Sequence, residues 1–191
     1  LAQLLEEAVV LDADVSLACI LHNQCAGDFA VRHSVDTAVV TALLARALKL
    51  DAAVVRSIVL AALSMNVGML ERHGDFQHKA GPLDADERAY IRAHPQAGVA
   101  RLRAAGVTDA VWLQAVLQHH ENIDGSGYPL GITGEEIGVG ARLIMLADRY
   151  CARVSARSYR KPLLPNAALR EMLSADKATL DAPLASLLVR E

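Results

Sequence analysis

"DAAVVRSIVLAALSMN", residues 51–66, sets the class of the fold. Asp51 is a residue type that caps helix N-termini, and no Gly or Pro interrupts the fifteen positions that follow. Apart from Arg56 and a few small polar residues the run is apolar on every side. A helix of that kind has to be covered all round by other elements. The segment is therefore expected at the centre of a core, with helices as its neighbours.

The flanking sequence supplies those neighbours. Upstream, "VRHSVDTAVVTALLARALKL" (31–50) places Val35, Val39, Leu43, Leu44 and Leu48 at helical spacing. "LAQLLEEAVVL" (1–11) and "DVSLACILHNQC" (14–25) read as short apolar helices. Downstream, residues 67–83 are rich in Gly and polar residues and read as a loop. A helix is expected over 84–106, with acids in its first turn and Pro95 permitting a kink or break. "TDAVWLQAVLQHHE" (108–121) is another helix, "DGSGYPLGITGEEI" (124–137) a loop by its Gly and Pro content, and residues 139–156 a buried helix. Two weaker helices finish the chain. No repeat or alternating strand pattern is present. The expected fold is all-α, with residues 1–27 a helical segment or a link to a missing neighbour and 28–191 the main domain.

Bulk properties agree. Hydrophobic residues make up 53% of the 191 and aromatics only 4%, a balance that favours helices. A formal net charge of -3 argues against nonspecific binding of a nucleic-acid polymer. Cys19, Cys25 and Cys151 show no metal-type spacing, as in a reduced cytoplasmic protein. The longest uncharged apolar run, Ser57 to Leu70, reads as too short to span a bilayer. No signal peptide is visible. The chain opens with Leu, so it reads as a piece of a longer protein.

The chemistry gathers at "HHENIDGSGYP", residues 119–129. Of seven histidines (22, 33, 73, 78, 94, 119 and 120), only 119 and 120 are adjacent. Neighbouring helical residues point about 100° apart, so the pair converges on one ion only at a helix end. The Gly-rich stretch that follows provides one. Asp148 sits inside the apolar run "LIMLADRY". A carboxylate there is costly to bury unless paired, with a metal or with Arg142 or Arg153; both readings stand. Arg153, Arg157, Arg160 and Lys161 form a basic cluster, suited to phosphate oxygens or simply a solvated helix end.

These residues resemble the HD-GYP domain. "HHENIDGSGYPLGITGEEIGVGARLIMLADRYCARVSARSYRKPL" is similar to its second half, and "HSVDTAVV" from His33 and "HPQAG" from His94 stand where that family places further ligands. The resemblance covers roughly residues 28 to 175. It implies an HD-domain-like helical bundle. It also implies cyclic di-GMP hydrolysis at a site of two or three iron or manganese ions, with His33, His94, His119, His120 and Asp148 as ligands. Gly125, Gly127, Tyr128 and Pro129 preserve the GYP loop, which the family uses to contact partners, notably diguanylate-cyclase (GGDEF) domains. Arg157 and Arg160 join the candidate ligand- or partner-binding set.

The sequence departs from the family at its name-giving pair. Aligned on Gly68, Met65 replaces the family His, Asn66 the Asp and Met69 the Lys, so no catalytic residue is assigned. The family Asp bridges two metals, and a neutral carboxamide is a poor bridge. One former metal position keeps only His33 and Asp148. The other keeps His94, His119 and His120, enough for a single Fe, Mn or Zn ion, with Glu121 a further candidate ligand. The expectation is a degenerate domain acting as a regulatory or binding module in bacterial cyclic di-GMP signalling, with one divalent metal or none. The alternatives are an active cyclic di-GMP phosphodiesterase with a reduced metal site and a structural or dimerising domain with relic histidines.

Overall fold

The structure, a computed structural model, describes residues 1–22, 29–72, 75–76, 79, 81–155 and 161–189. Among the described residues there is no strand. Nine α-helices are described: α1 (Ala2–Leu11), α2 (Ala13–His22), α3 (Phe29–Ala47), α4 (Ala52–Ser64), α5 (Ala85–Ala104), α6 (Ala110–Gln118), α7 (Val139–Val154), α8 (Pro165–Ala175) and α9 (Ala182–Leu188). The all-α expectation holds.

The core is a stack in which α3 packs chiefly against α4 and α7. Every residue of α3 from 36 to 45 is buried. In α4, Ile58, Val59, Ala61 and Ala62 are wholly buried, as an all-round apolar helix requires. α6 covers α4 and α7 from the far side, α1 lies on α3 and α4, and α2 on α3. Asp51 precedes α4 as its N-cap but makes no side-chain capping bond. Asp84 and Asp109 do cap, accepting from the amides of Glu87 and Trp112 and fixing the starts of α5 and α6.

Two expectations need correction, while the helix expected over 84–106 is present. The segment 67–83 is not all loop, because residues Val67–Arg72 form a 3-10 helix that continues from α4. The helical run Ala52–Arg72 is therefore 21 residues long and apolar enough to cross a membrane by length and composition, although half of it is buried inside the bundle. Burial against α3 explains that apolarity. Pro95 neither breaks nor ends α5, which runs through it from Ala85 to Ala104.

Gly68 positions the 3-10 helix. A Cβ there would lie 2.1 Å from the His94 carbonyl oxygen and 2.6 Å from the Gly98 nitrogen. Only glycine lets this backbone rest on α5. The contact brings the segment just after Asn66 against the helix that carries His94.

On the opposite flank, α7 is tied to the chain's last helices. Arg142 pairs with Asp181 at 2.7 Å, and Arg153 with Asp176 at 2.9 Å and Glu171 at 3.3 Å. The Arg153 guanidinium thus serves the fold, not a phosphate site.

Candidate metal centre

His94 comes from the middle of α5. His119 and His120 follow α6 directly, His119 being its C-cap residue. The ligand nitrogens of the three lie within 4.8 Å of one another. The pair converges because α6 stops at Gln118, so His120 leaves the helical path before its side chain has to point away.

Two backbone carbonyls orient the rings. His94 Nδ1 donates to the Ile91 carbonyl at 2.6 Å, and His119 Nδ1 to the Val116 carbonyl at 2.7 Å. Each carbonyl is one that its helix leaves free. The Ile91 oxygen would ordinarily accept from the amide of residue 95, but Pro95 has no N–H. The Val116 oxygen belongs to the last turn of α6, where carbonyls lack intrahelical partners. With Nδ1 donating, each neutral ring presents a lone pair on Nε2.

Those two Nε2 atoms face each other at 3.1 Å. Two lone pairs at that distance repel unless a cation or proton joins them. Protonation is disfavoured: burial pushes the His119 imidazole down, against the Val116 carbonyl and Asp148. Burial and then the neighbouring His119 push His120 well down. Nitrogens about 2.1 Å from a shared ion, at about 90–110°, lie about 3.0–3.4 Å apart. The His94–His119 spacing is that of two ligands on one ion, and with His120 within 4.8 Å the trio could hold a divalent ion.

The GYP loop closes over the trio. Tyr128 N donates to the His120 carbonyl at 3.1 Å, and the Tyr128 ring stacks on His120 at 4.7 Å and 26°. Gly127 permits this return, since a Cβ there would meet Asn122 N at 2.3 Å. Gly125 takes φ +79 and Pro129 follows a cis peptide bond. Burial, with Asp148 adding to it, pushes the Tyr128 phenol up, so it stays protonated. The Arg92 guanidinium lies 4.8 Å from the Tyr128 ring centroid.

Glu121 does not belong to the ligand set. It is fully buried, and both of its oxygens hold the loop: Oε1 accepts from Leu130 N at 2.6 Å and Oε2 from Gly131 N at 3.0 Å. Its adjacency to two histidines suggested a metal role. Its partners are instead the loop amides nine and ten residues on.

Outside the clustered trio, His33 and Asp148 pair with each other, His33 Nε2 to Asp148 Oδ1 at 2.6 Å. Neither Arg142 nor Arg153 is the partner of Asp148. Burial would raise the Asp148 carboxyl, but the bond from His33 and the nearby imidazoles hold it well below the ordinary carboxylate range. His33 Nδ1 is buried without a partner. Met65 and Asn66 are buried, 1% and 6% exposed, and Met69 is partly exposed. Arg157 and Arg160 lie outside the described residues.

A sequence model of the HD domain family matches residues 17–184. The chain belongs to the HD domain family. HD domains typically bind divalent metal ions, in keeping with the three clustered histidines. Among curated relatives, this HD domain is 33% identical over 165 residues to a cyclic di-GMP phosphodiesterase of Pseudomonas aeruginosa, covering 86% of this chain and 40% of that protein. It is 28% identical over 169 residues to 3'3'-cGAMP-specific phosphodiesterase 1 of Vibrio cholerae, covering 87% and 39%. The chain thus spans about two fifths of the length of these relatives. The HDG"Y"P protein Bd1817 of Bdellovibrio bacteriovorus superimposes with a TM-score of 0.78 at 16% identity, covering 98% of this chain and 60% of that one. Together these matches identify an HD-GYP-like domain with the HD-domain bundle, related to bacterial phosphodiesterases of cyclic-dinucleotide signalling.

Proposed function

We propose that this HD domain binds one divalent ion through His94, His119 and His120, recognises a cyclic dinucleotide or a signalling partner, and turns the messenger over slowly or not at all. The split of the donors carries this reading. Three imidazoles cluster together, two of them oriented by backbone carbonyls, while His33 and Asp148 pair with each other.

A bound cation would supply a water of lowered pKa. The chain's own residues hold that site in shape: Ile91 and Val116 fix the rings, Glu121 pins the loop, and Tyr128 walls off one face of His120. Phosphodiester hydrolysis also needs positive charge on the developing phosphorane. Removing one such electrostatic contact costs about 10²–10³ in rate, and here the neutral Asn66 and Met69 stand where the resemblance expects a carboxylate that would hold a second cation and a Lys.

The test is hydrolysis of cyclic di-GMP and 3'3'-cGAMP by anaerobically Fe- or Mn-loaded protein, beside the double variant Met65→His with Asn66→Asp. Turnover near the metal-only blank, raised at least about 100-fold by the double change, supports the reading. Efficient turnover by the unmodified chain, with no gain from the double change, favours the active reduced-site phosphodiesterase.

A further inference from the structure

One cation beside the GYP loop, Arg92, has no ion-pair partner among the described residues. It is exposed on α5, two residues before His94. Its guanidinium lies 4.8 Å from the Tyr128 ring centroid, and the same ring stacks on His120 at 4.7 Å. Tyr128 also meets the His94 ring edge-on at 6.5 Å. One aromatic ring is therefore shared between a guanidinium with no ion pair among the described residues and two of the three clustered imidazoles.

That placement has a chemical consequence. A guanidinium over an aromatic ring is held in orientation, and its remaining N–H groups form a fork that matches two phosphate oxygens. We propose that Arg92 binds a phosphate of the cyclic dinucleotide and orients it toward the His94, His119 and His120 centre. The inference rests on the cyclic-dinucleotide reading given above. Arg92 is a positioning and specificity residue, not a metal ligand.

The experiment is calorimetric titration of cyclic di-GMP into the Mn-loaded chain, with Arg92→Gln and Arg92→Lys alongside the wild type. Metal content and Tm are recorded for each. A hydrogen-bonded charge contact of this kind corresponds to about 10–100-fold in affinity. Arg92→Gln is expected to weaken binding by that factor at unchanged metal content and Tm. Arg92→Lys is expected to recover part of the loss, with steeper salt dependence than Arg92→Gln. Equal affinity of wild type and Arg92→Gln overturns the inference alone. A fall in metal content or in Tm by several degrees in Arg92→Gln assigns the residue to packing of the loop and also overturns it. A wild type that binds neither cyclic di-GMP nor 3'3'-cGAMP overturns the cyclic-dinucleotide reading and the inference together.

Discussion

Pro95→Ala should make the protein more stable and its metal site weaker. Proline inside a helix costs about 3 kcal/mol relative to alanine. Pro95 is buried, and the change removes two methylenes from contact, a loss of about 1.6 kcal/mol. The net gain is about 1–2 kcal/mol, or about 3–6 °C in Tm for a chain of this size. The new amide at residue 95 would claim the Ile91 carbonyl, which now accepts from His94 Nδ1 at 2.6 Å. His94 would lose the bond that fixes its tautomer and tilt. Loss of such an outer contact typically costs 10–100-fold in metal affinity. Thermal melts of the metal-free protein and competition with a fluorescent chelator measure the two effects. Unchanged metal affinity in the variant would refute the argument that the proline acts by freeing this carbonyl. A lower Tm would show that its ring matters more for packing than its missing N–H.

Other variants probe the rest of the site. Glu121→Gln turns one oxygen into a donor facing a buried amide, either Leu130 N or Gly131 N. A cost of about 2–4 kcal/mol should lower the Tm of the metal-free protein by about 6–12 °C; an unaltered melt would return Glu121 to the list of ligands. Gly68→Ala drives a Cβ into the His94 carbonyl and should cost about 3 kcal/mol, read as a shift in the urea midpoint; a shift worth under 1 kcal/mol would mean that the close approach is not real. Burial pushes the Asp36 carboxyl up to about 6, against the opposing influence of His33 and Arg32, and its Oδ2 lacks a partner. The folded state then holds a proton that the unfolded chain releases, so this residue's contribution falls as pH rises from about 4 to about 6. Asp36→Asn should stabilise the protein by up to about 3 kcal/mol at pH 7.5 and by much less at pH 4; equal effects at both pH values would contradict the assignment.

The helical class was legible because α4 is apolar on all sides and carries no breaker, which leaves few ways to bury it. The pair His119 and His120 was legible through spacing, since two histidines next to a Gly-rich loop imply a helix end and α6 ends at Gln118; His94 came only through the family resemblance. Pro95 misled, because proline chemistry predicts a lost amide bond and the sequence does not show that a neighbouring imidazole replaces it. Glu121 misled for the reverse reason. A carboxylate beside two histidines suggests a ligand, while its partners, two loop amides, carry no mark in the sequence. The 3-10 helix Val67–Arg72 was hidden because its stability comes from contact between Gly68 and α5, a tertiary contact that local composition does not encode. The pairing of His33 with Asp148 spans 115 residues and becomes visible only in the folded chain.

Metal stoichiometry tests the central claim most directly. The chain would be loaded anaerobically with excess Mn²⁺ or Fe²⁺, desalted and analysed for metal per chain, together with His119→Ala and His33→Ala. A single-ion site built on His94, His119 and His120 predicts about one ion per wild-type chain, lost in His119→Ala and kept in His33→Ala. Two ions per chain, or one ion that His33→Ala removes, would contradict it.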